Sequence, residues 1–313
     1  MVIWRFCDGK PGHEQQSLGL VAALTRRQSV TSHDLSAPNS VTALAMLITH
    51  RYPPGSDLPP PDVLVGAGHA THLPMLAAKR RWGGRTVVLM KPSLPTRWFD
   101  LCVVPEHDGV PTNDKVITTV GVLNAVPMTE VHAAHQSNSQ TNNETGKRGL
   151  ILVGGPSSHH SWNADATIDA ITQIVNASTE THWAVADSRR TPASMRARLA
   201  TLDSPNCTFH AATTHPAPWL TERLTEAGTI WVTGDSISML FEALSTSAAV
   251  GVLPVPIKKP TRVTQVVQQL IDAQRVGTLQ AWANGQPLIS GKPLREADRI
   301  ASEISKRGWN KRG

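Results

Sequence analysis

The chain has 313 residues, 40% hydrophobic and 17% charged, a core-forming balance that excludes intrinsic disorder and fits two domains of ordinary size. Its net charge is +6, but residues 1–148 carry 14 basic and 11 acidic side chains, residues 149–291 carry 9 and 10, and residues 292–313 carry 7 and 3. With most of the surplus on the tail, no broad basic face for nucleic acid is expected.

In chain order, residues 2–6 read as a buried strand, followed by a Gly-Pro loop at 8–12 and a helix with Leu18, Val21 and Leu24 at helical spacing. Residues 62–65 are the next strand, then a Gly-rich turn, a helix over 73–81 and two β-rich runs at 86–90 and 101–104. Residues 132–148, HAAHQSNSQTNNETGKR, offer almost nothing to a core and read as a polar linker. Alternation then restarts, with strands at 150–153, 182–186, 208–210, 229–233 and 250–253. The helices between and after them are expected over 165–175, 192–202, 216–227, 236–245, 263–275 and 293–306. Strands separated by helices predict parallel β-α-β units. The expected fold is therefore α/β, two Rossmann-like doubly wound domains at 1–131 and 149–291, with the linker 132–148 between them and a C-terminal helix and basic tail at 292–313. The three cysteines are widely spaced and form no CxxC pair, which predicts neither a disulfide framework nor a thiolate zinc site. The N-terminus has no basic region followed by an apolar run, and no stretch approaches ~20 apolar residues; the expectation is a cytoplasmic protein.

In open parallel sheets, ligands bind at the loops after the strands' C-terminal ends. Three such loops are chemically unusual here. In VTGDSISMLFEAL (232–244), Ser236 and Ser238 sit in the first turn of a helix, where free N–H groups suit a phosphate, and Glu242 is placed to accept from ribose hydroxyls; ordinary helix capping is the bland alternative. In ILVGGPSSHHSW (151–162), Gly154 and Gly155 permit close backbone approach and Ser157 adds a hydroxyl. The loop is neither GxGxxG nor a P-loop, and a tight turn explains it equally well. In FCDGKPGHEQQSLGL (6–20), Asp8, Lys10, His13 and Glu14 crowd one strand end, a candidate for general-base catalysis with Lys10 binding an anion. Arg189 and Arg190, straight after a strand, could clamp a diphosphate or simply be solvated. The HxxH at His69 and His72 lacks a third ligand, so no metal site is expected.

Taken together, DGKPGHEQQSLGL (8–20), GAGHATHLPMLAAKR (66–80), FDLCVVPEHDG (99–109), GGPSSHHSW (154–162), SRRTP (188–192) and VTGDSISMLFEA (232–243) resemble the bacterial branch of the mitochondrial-fission (elongated mitochondria) family. The resemblance runs in order over nearly the whole chain. It implies a GT-B glycosyltransferase fold, two Rossmann-like domains facing across a cleft, with a nucleotide-sugar donor in the C-terminal domain and an acceptor in the N-terminal one. No cofactor or metal is implied, since helix N-termini and basic side chains stabilise the leaving phosphate in such enzymes. By analogy with lipid-A-type Kdo transferases, Glu14 is the expected catalytic base, with His13 and Asp8 as competitors; Lys10, Gly154, Gly155, Ser157, Arg189, Arg190, Ser236, Ser238 and Glu242 are the expected binding residues. The acceptor would be a glycan or lipid-linked species. A non-catalytic adaptor and a sugar-nucleotide epimerase are the alternatives. The tail from Lys306 to Arg312, cations around Trp309, would suit peripheral contact with an anionic membrane at the inner face of the plasma membrane, or be a solvated end.

Overall fold

The computed structural model describes residues 1–127, 147–202, 204–215 and 217–309. Two compact units emerge, residues 1–125 with 295–313 and residues 126–294. Residues 132–146 of the expected linker and residues 310–313 of the tail lie outside the described residues.

In the first unit six strands form one parallel sheet: β1 (Val2–Cys7), β2 (Thr31–Ser36), β3 (Val63–Ala67), β4 (Arg85–Leu89), β5 (Leu101–Pro105) and β6 (Val116–Thr119), in the order β2-β1-β3-β4-β5-β6. The helices are α1 (Pro11–Thr25), α2 (Ser40–Thr49), α3 (His72–Trp82) and, from the far end of the chain, α10 (Glu296–Lys306). Alternation along β1 explains the layering, since successive side chains leave opposite faces of a sheet. Ile3 joins Leu20, Leu24, Ile300 and Ile304 under α1 and α10, while Trp4 and Phe6 join Tyr52, Met75 and Ala78 on the other side. Arg5 shares a face with Ile3, where burial would be costly without a partner. Asp34 of β2 supplies one, accepting from Arg5 Nε at 2.7 Å. The C-terminal helix is bound to α1 by the Arg26–Asp298 pair at 2.6 Å, and Trp309 packs against the same core.

The second unit has β7 (Arg148–Leu152), α4 (Ala164–Ala177), β8 (His182–Ala186), α5 (Ala193–Ala200), β9 (Cys207–His210), α6 (Ala217–Glu226), β10 (Thr229–Thr233), α7 (Ile237–Leu244), β11 (Ala249–Leu253), α8 (Arg262–Asp272), β12 (Gly277–Thr278) and α9 (Leu279–Ala283). Its sheet, again parallel, runs β12-β11-β10-β7-β8-β9. Counted from β7, that is the strand order of the dinucleotide-binding fold. Trp183 and Trp231 are buried against Gly149 and Gly251, where an added Cβ would come within 2.3 Å of the ring, and Gly55 makes the same room for Trp4.

Candidate active site

Strand order reverses between β1 and β3 in the first unit and between β7 and β10 in the second, and crevices at such points are where ligands bind. The sequence-singled loops after β1, β3, β7 and β10 all stand at these two places.

In the first unit, Gly9 and Gly68 at positive φ carry the chain off β1 and β3. His13, in the first turn of α1, places Nδ1 2.8 Å from Asp8 Oδ2. A carboxylate only accepts, so Nδ1 carries the proton and Nε2 is left as the basic nitrogen. The Asp8 side chain is 2% exposed and that of His13 20%, so the pair is shielded from bulk water on the aspartate side and open on the histidine side. Gly68 is the floor: a Cβ there would lie 2.3 Å from His13 Nδ1 and 3.2 Å from Asp8 Oδ2. Glu14, by contrast, accepts from the Gly9 N–H at 3.0 Å and so closes its own loop. Lys10 is exposed, and its N–H donates to Asp8 Oδ1 at 3.1 Å. Beneath the loop, Arg5 donates to the Glu14 carbonyl and to Ser17 Oγ, both at 3.3 Å, which ties α1's first turn to β2 through Asp34. His69 is exposed, whereas His72 is buried with Nδ1 3.0 Å from Ser93 Oγ; burial and the neighbouring His69 push its pKa down to about 4. Among the described residues, no three His, Cys, Asp or Glu side chains are grouped to hold a metal ion.

The second unit turns on Asp235, inside the 232–244 stretch. Its side chain is fully buried and Oδ2 accepts from the Gly155 N–H at 3.0 Å and from Arg190 Nη2 at 2.8 Å. Arg190 Nη1 also donates to the Gly155 carbonyl at 2.8 Å, and the Gly154 N–H donates to Thr233 Oγ1 at 2.8 Å. The two glycines are needed because a Cβ at 154 would reach 2.2 Å from Asp235, and one at 155 would reach 2.2 Å from the Arg190 carbonyl. Gly154, Gly155 and Arg190 thus lock three loops together. Ser157 Oγ accepts from the N–H groups of His159 and His160 and so shapes its own turn, which Lys258 Nζ braces at the Ser157 carbonyl, 2.9 Å away.

What stays uncommitted is the start of α7 and its exposed face. The N–H groups of Ile237, Ser238 and Met239 meet no acceptor among the described residues, as expected of a helix's first turn. Ser238 is exposed, and Glu242, four residues on, shares its face about 6 Å further along the axis. Glu242 keeps some solvent access but is surrounded by protein on most sides, and its carboxylate has neither hydrogen bond nor ion pair among the described residues. Desolvation alone pushes its carboxyl from the ordinary 4.5 up to about 7. Arg189 is exposed beside the locked Arg190.

The family model for mitochondrial fission ELM1 matches residues 11–308, which takes in His13 and Glu14 and the loops after β3, β7, β8 and β10. The chain belongs to the mitochondrial fission ELM1 family. An uncharacterized protein of Rickettsia prowazekii (strain Madrid E) is 21% identical to this ELM1-family chain, over 97% of the chain and 98% of its own length. Among solved structures, the UDP-GlcNAc 2-epimerase of Neisseria meningitidis bound to UDP-GlcNAc is similar at TM-score 0.55 and 13% identity, over 99% of the chain and all of its own. The epimerase of Methanocaldococcus jannaschii gives 0.56 and 11%, over 98% and 100%. The glycotransferase of kitacinnamycin gives 0.53 and 16%, over 98% of each. At these identities the likeness is one of fold: this ELM1-family chain has the two Rossmann-like domains of GT-B proteins.

Proposed function

We propose that this protein transfers a sugar from a nucleotide-sugar donor to an acceptor hydroxyl, the donor held by the second unit and the acceptor by the first. The observation that carries the reading is Glu242: a desolvated carboxylate on the same helix face as a start with three N–H groups, all without a partner among the described residues. That spacing suits a nucleoside diphosphate, with phosphate oxygens at the N-terminus of α7 and ribose hydroxyls donating to Glu242 one turn deeper. The matched Neisseria meningitidis epimerase, bound to UDP-GlcNAc, supports a nucleotide sugar as the ligand.

In the first unit, His13 is the base this reading favours over Glu14, because Glu14 already caps Gly9 while His13 is oriented by Asp8 and its Nε2 has no partner among the described residues. Nε2 takes the proton of the acceptor hydroxyl as its oxygen bonds to the anomeric carbon. The bond from that carbon to the diphosphate breaks, and the α7 N–H groups with Arg189 meet the charge gathering on the leaving oxygen. Asp8 holds the histidine tautomer and stabilises the imidazolium. Lys10 is placed to hold an anionic acceptor group.

A second reading, epimerisation of a sugar nucleotide, is favoured by the several UDP-GlcNAc 2-epimerases among the matched folds and would use the same donor site. Calorimetry and thermal shift with nucleoside diphosphates and their sugars test the common part. Stabilisation that is lost in Glu242→Gln is expected; no stabilisation by any nucleotide would point to a non-catalytic adaptor instead. Product analysis then separates the chemistries, since epimerisation needs no acceptor and does not consume one.

A further inference from the structure

We infer that the α2–α3 face of the first unit docks on an anionic bilayer surface. The two helices pack against each other on one side of the sheet, and α2 turns Ala43 inward. Its outer side carries Val41, Leu44 and Ile48, exposed at 80%, 47% and 66%. Positions i, i+3 and i+7 fall on one stripe about 10 Å long, a contiguous apolar ridge rather than scattered surface residues.

The charge around this ridge is predominantly positive. Residues 63–99 contain six Lys and Arg and no Asp or Glu, and Asp57 is the one carboxylate in 35–61. Lys79 and Arg85 share the single carboxylate of Asp100. Arg51, Arg80 and Arg81 are exposed and pair with no carboxylate among the described residues. Arg80 donates to His50 at 3.1 Å and Arg81 stacks over Trp82 at 4.1 Å. The Arg80–His50 contact brings the C-terminal ends of the two helices together, so all three arginines gather at the Ile48 end of the ridge.

An apolar stripe beside unpaired cations is what a helix lying in the interface of an anionic membrane presents. A second copy fits poorly: one ten-residue helix face offers far less than the ~800 Å² per partner of a stable dimer. Two such faces would also oppose like charges. The C-terminal tail, the other candidate for membrane contact, has its Trp309 packed on the core and Lys306 paired with Glu303, so it presents no apolar anchor among the described residues.

The test is co-sedimentation of the full chain with vesicles of phosphatidylcholine alone and of phosphatidylcholine mixed with phosphatidylglycerol. Binding to the mixed vesicles only is expected. It should fall roughly fivefold for each of Arg51→Glu and Arg80→Glu, by more at low than at high salt, and at least tenfold in Val41→Asp/Ile48→Asp. These side chains are exposed, and unchanged circular dichroism controls for folding. Equal binding by wild type and all variants, or none by wild type, overturns the inference. So does a concentration-dependent dimer abolished by Val41→Asp/Ile48→Asp, which would make the ridge a contact between copies.

Discussion

Replacing Glu242 by glutamine should make the protein more stable and less able to bind nucleotide. The wild-type carboxyl is raised from about 4.5 to about 7 when folded, with burial as the whole cause. Between those values the folded chain holds a proton that the unfolded chain has released, so wild-type stability falls as pH rises through this window. Below 4.5 both states are protonated and the variant gains almost nothing. Above 7 both are ionised and the full deficit is in place. At 1.36 kcal/mol per unit, a shift of about 2.5 units amounts to roughly 3.4 kcal/mol, and residual solvent access reduces it to about 2–3 kcal/mol. For a unit of this size that corresponds to about 4–12 °C in melting temperature. Thermal unfolding of both proteins at pH 4.5 and pH 8 reads the effect directly. Glu242→Gln should melt within about 2 °C of wild type at the lower pH and well above it at the higher. A gain of equal size at both pH values, or a loss at pH 8, refutes the claim that an unpaired ionised carboxylate is stored in this position.

Ribose hydroxyls donating to Glu242 favour its ionised form, so nucleoside diphosphate binding near pH 6.5 should release up to about one proton and tighten as pH rises to 7.5; calorimetry in buffers of differing ionisation enthalpy counts it. Asp8→Asn and His13→Ala should lower turnover by about 10²–10⁴ and leave donor affinity within about twofold, whereas Glu14→Gln should keep most activity; a reversed ranking would make Glu14 the base. Gly68→Ala puts a methyl against His13 and should lower turnover roughly tenfold or more without weakening donor binding, as steady-state kinetics beside calorimetry will reveal. Arg190→Ala leaves the Asp235 carboxylate buried with only the Gly155 N–H on Oδ2, and urea unfolding should register a loss of about 2–3 kcal/mol, the partly exposed arginine keeping it below the cost of a fully buried pair.

Strands buried on both faces announce themselves as apolar runs, which is why 182–186 and 229–233 read from sequence with the bounds they have in the fold. β2 escapes that signal. It is an edge strand, TSHDLS, with only Leu35 buried, and nothing in its composition separates it from a loop. α2 offers an N-cap cue in Asn39, whose side chain accepts from the Thr42 N–H, but its residues are too uniformly apolar to show a period. The last helix carries no mark in sequence of the unit it joins, since Ile300 and Ile304 would pack equally well on any apolar groove.

The candidate site divides along a similar line. Asp8 and His13 are five residues apart across one turn, so their meeting is a local consequence of the Gly-Pro loop and the start of α1. The roles of Gly68, Arg190 and Asp235 are set by contacts between strand ends 35 to 80 residues apart, and one sequence carries no trace of such pairings. A density of glycine and charge therefore marks where a switch-point loop is, but not whether its groups face a ligand or one another. Arg190 and Glu242 were indistinguishable as candidates in the sequence. The fold separates them by a single fact: Asp235 satisfies the arginine, and no side chain among the described residues satisfies the glutamate.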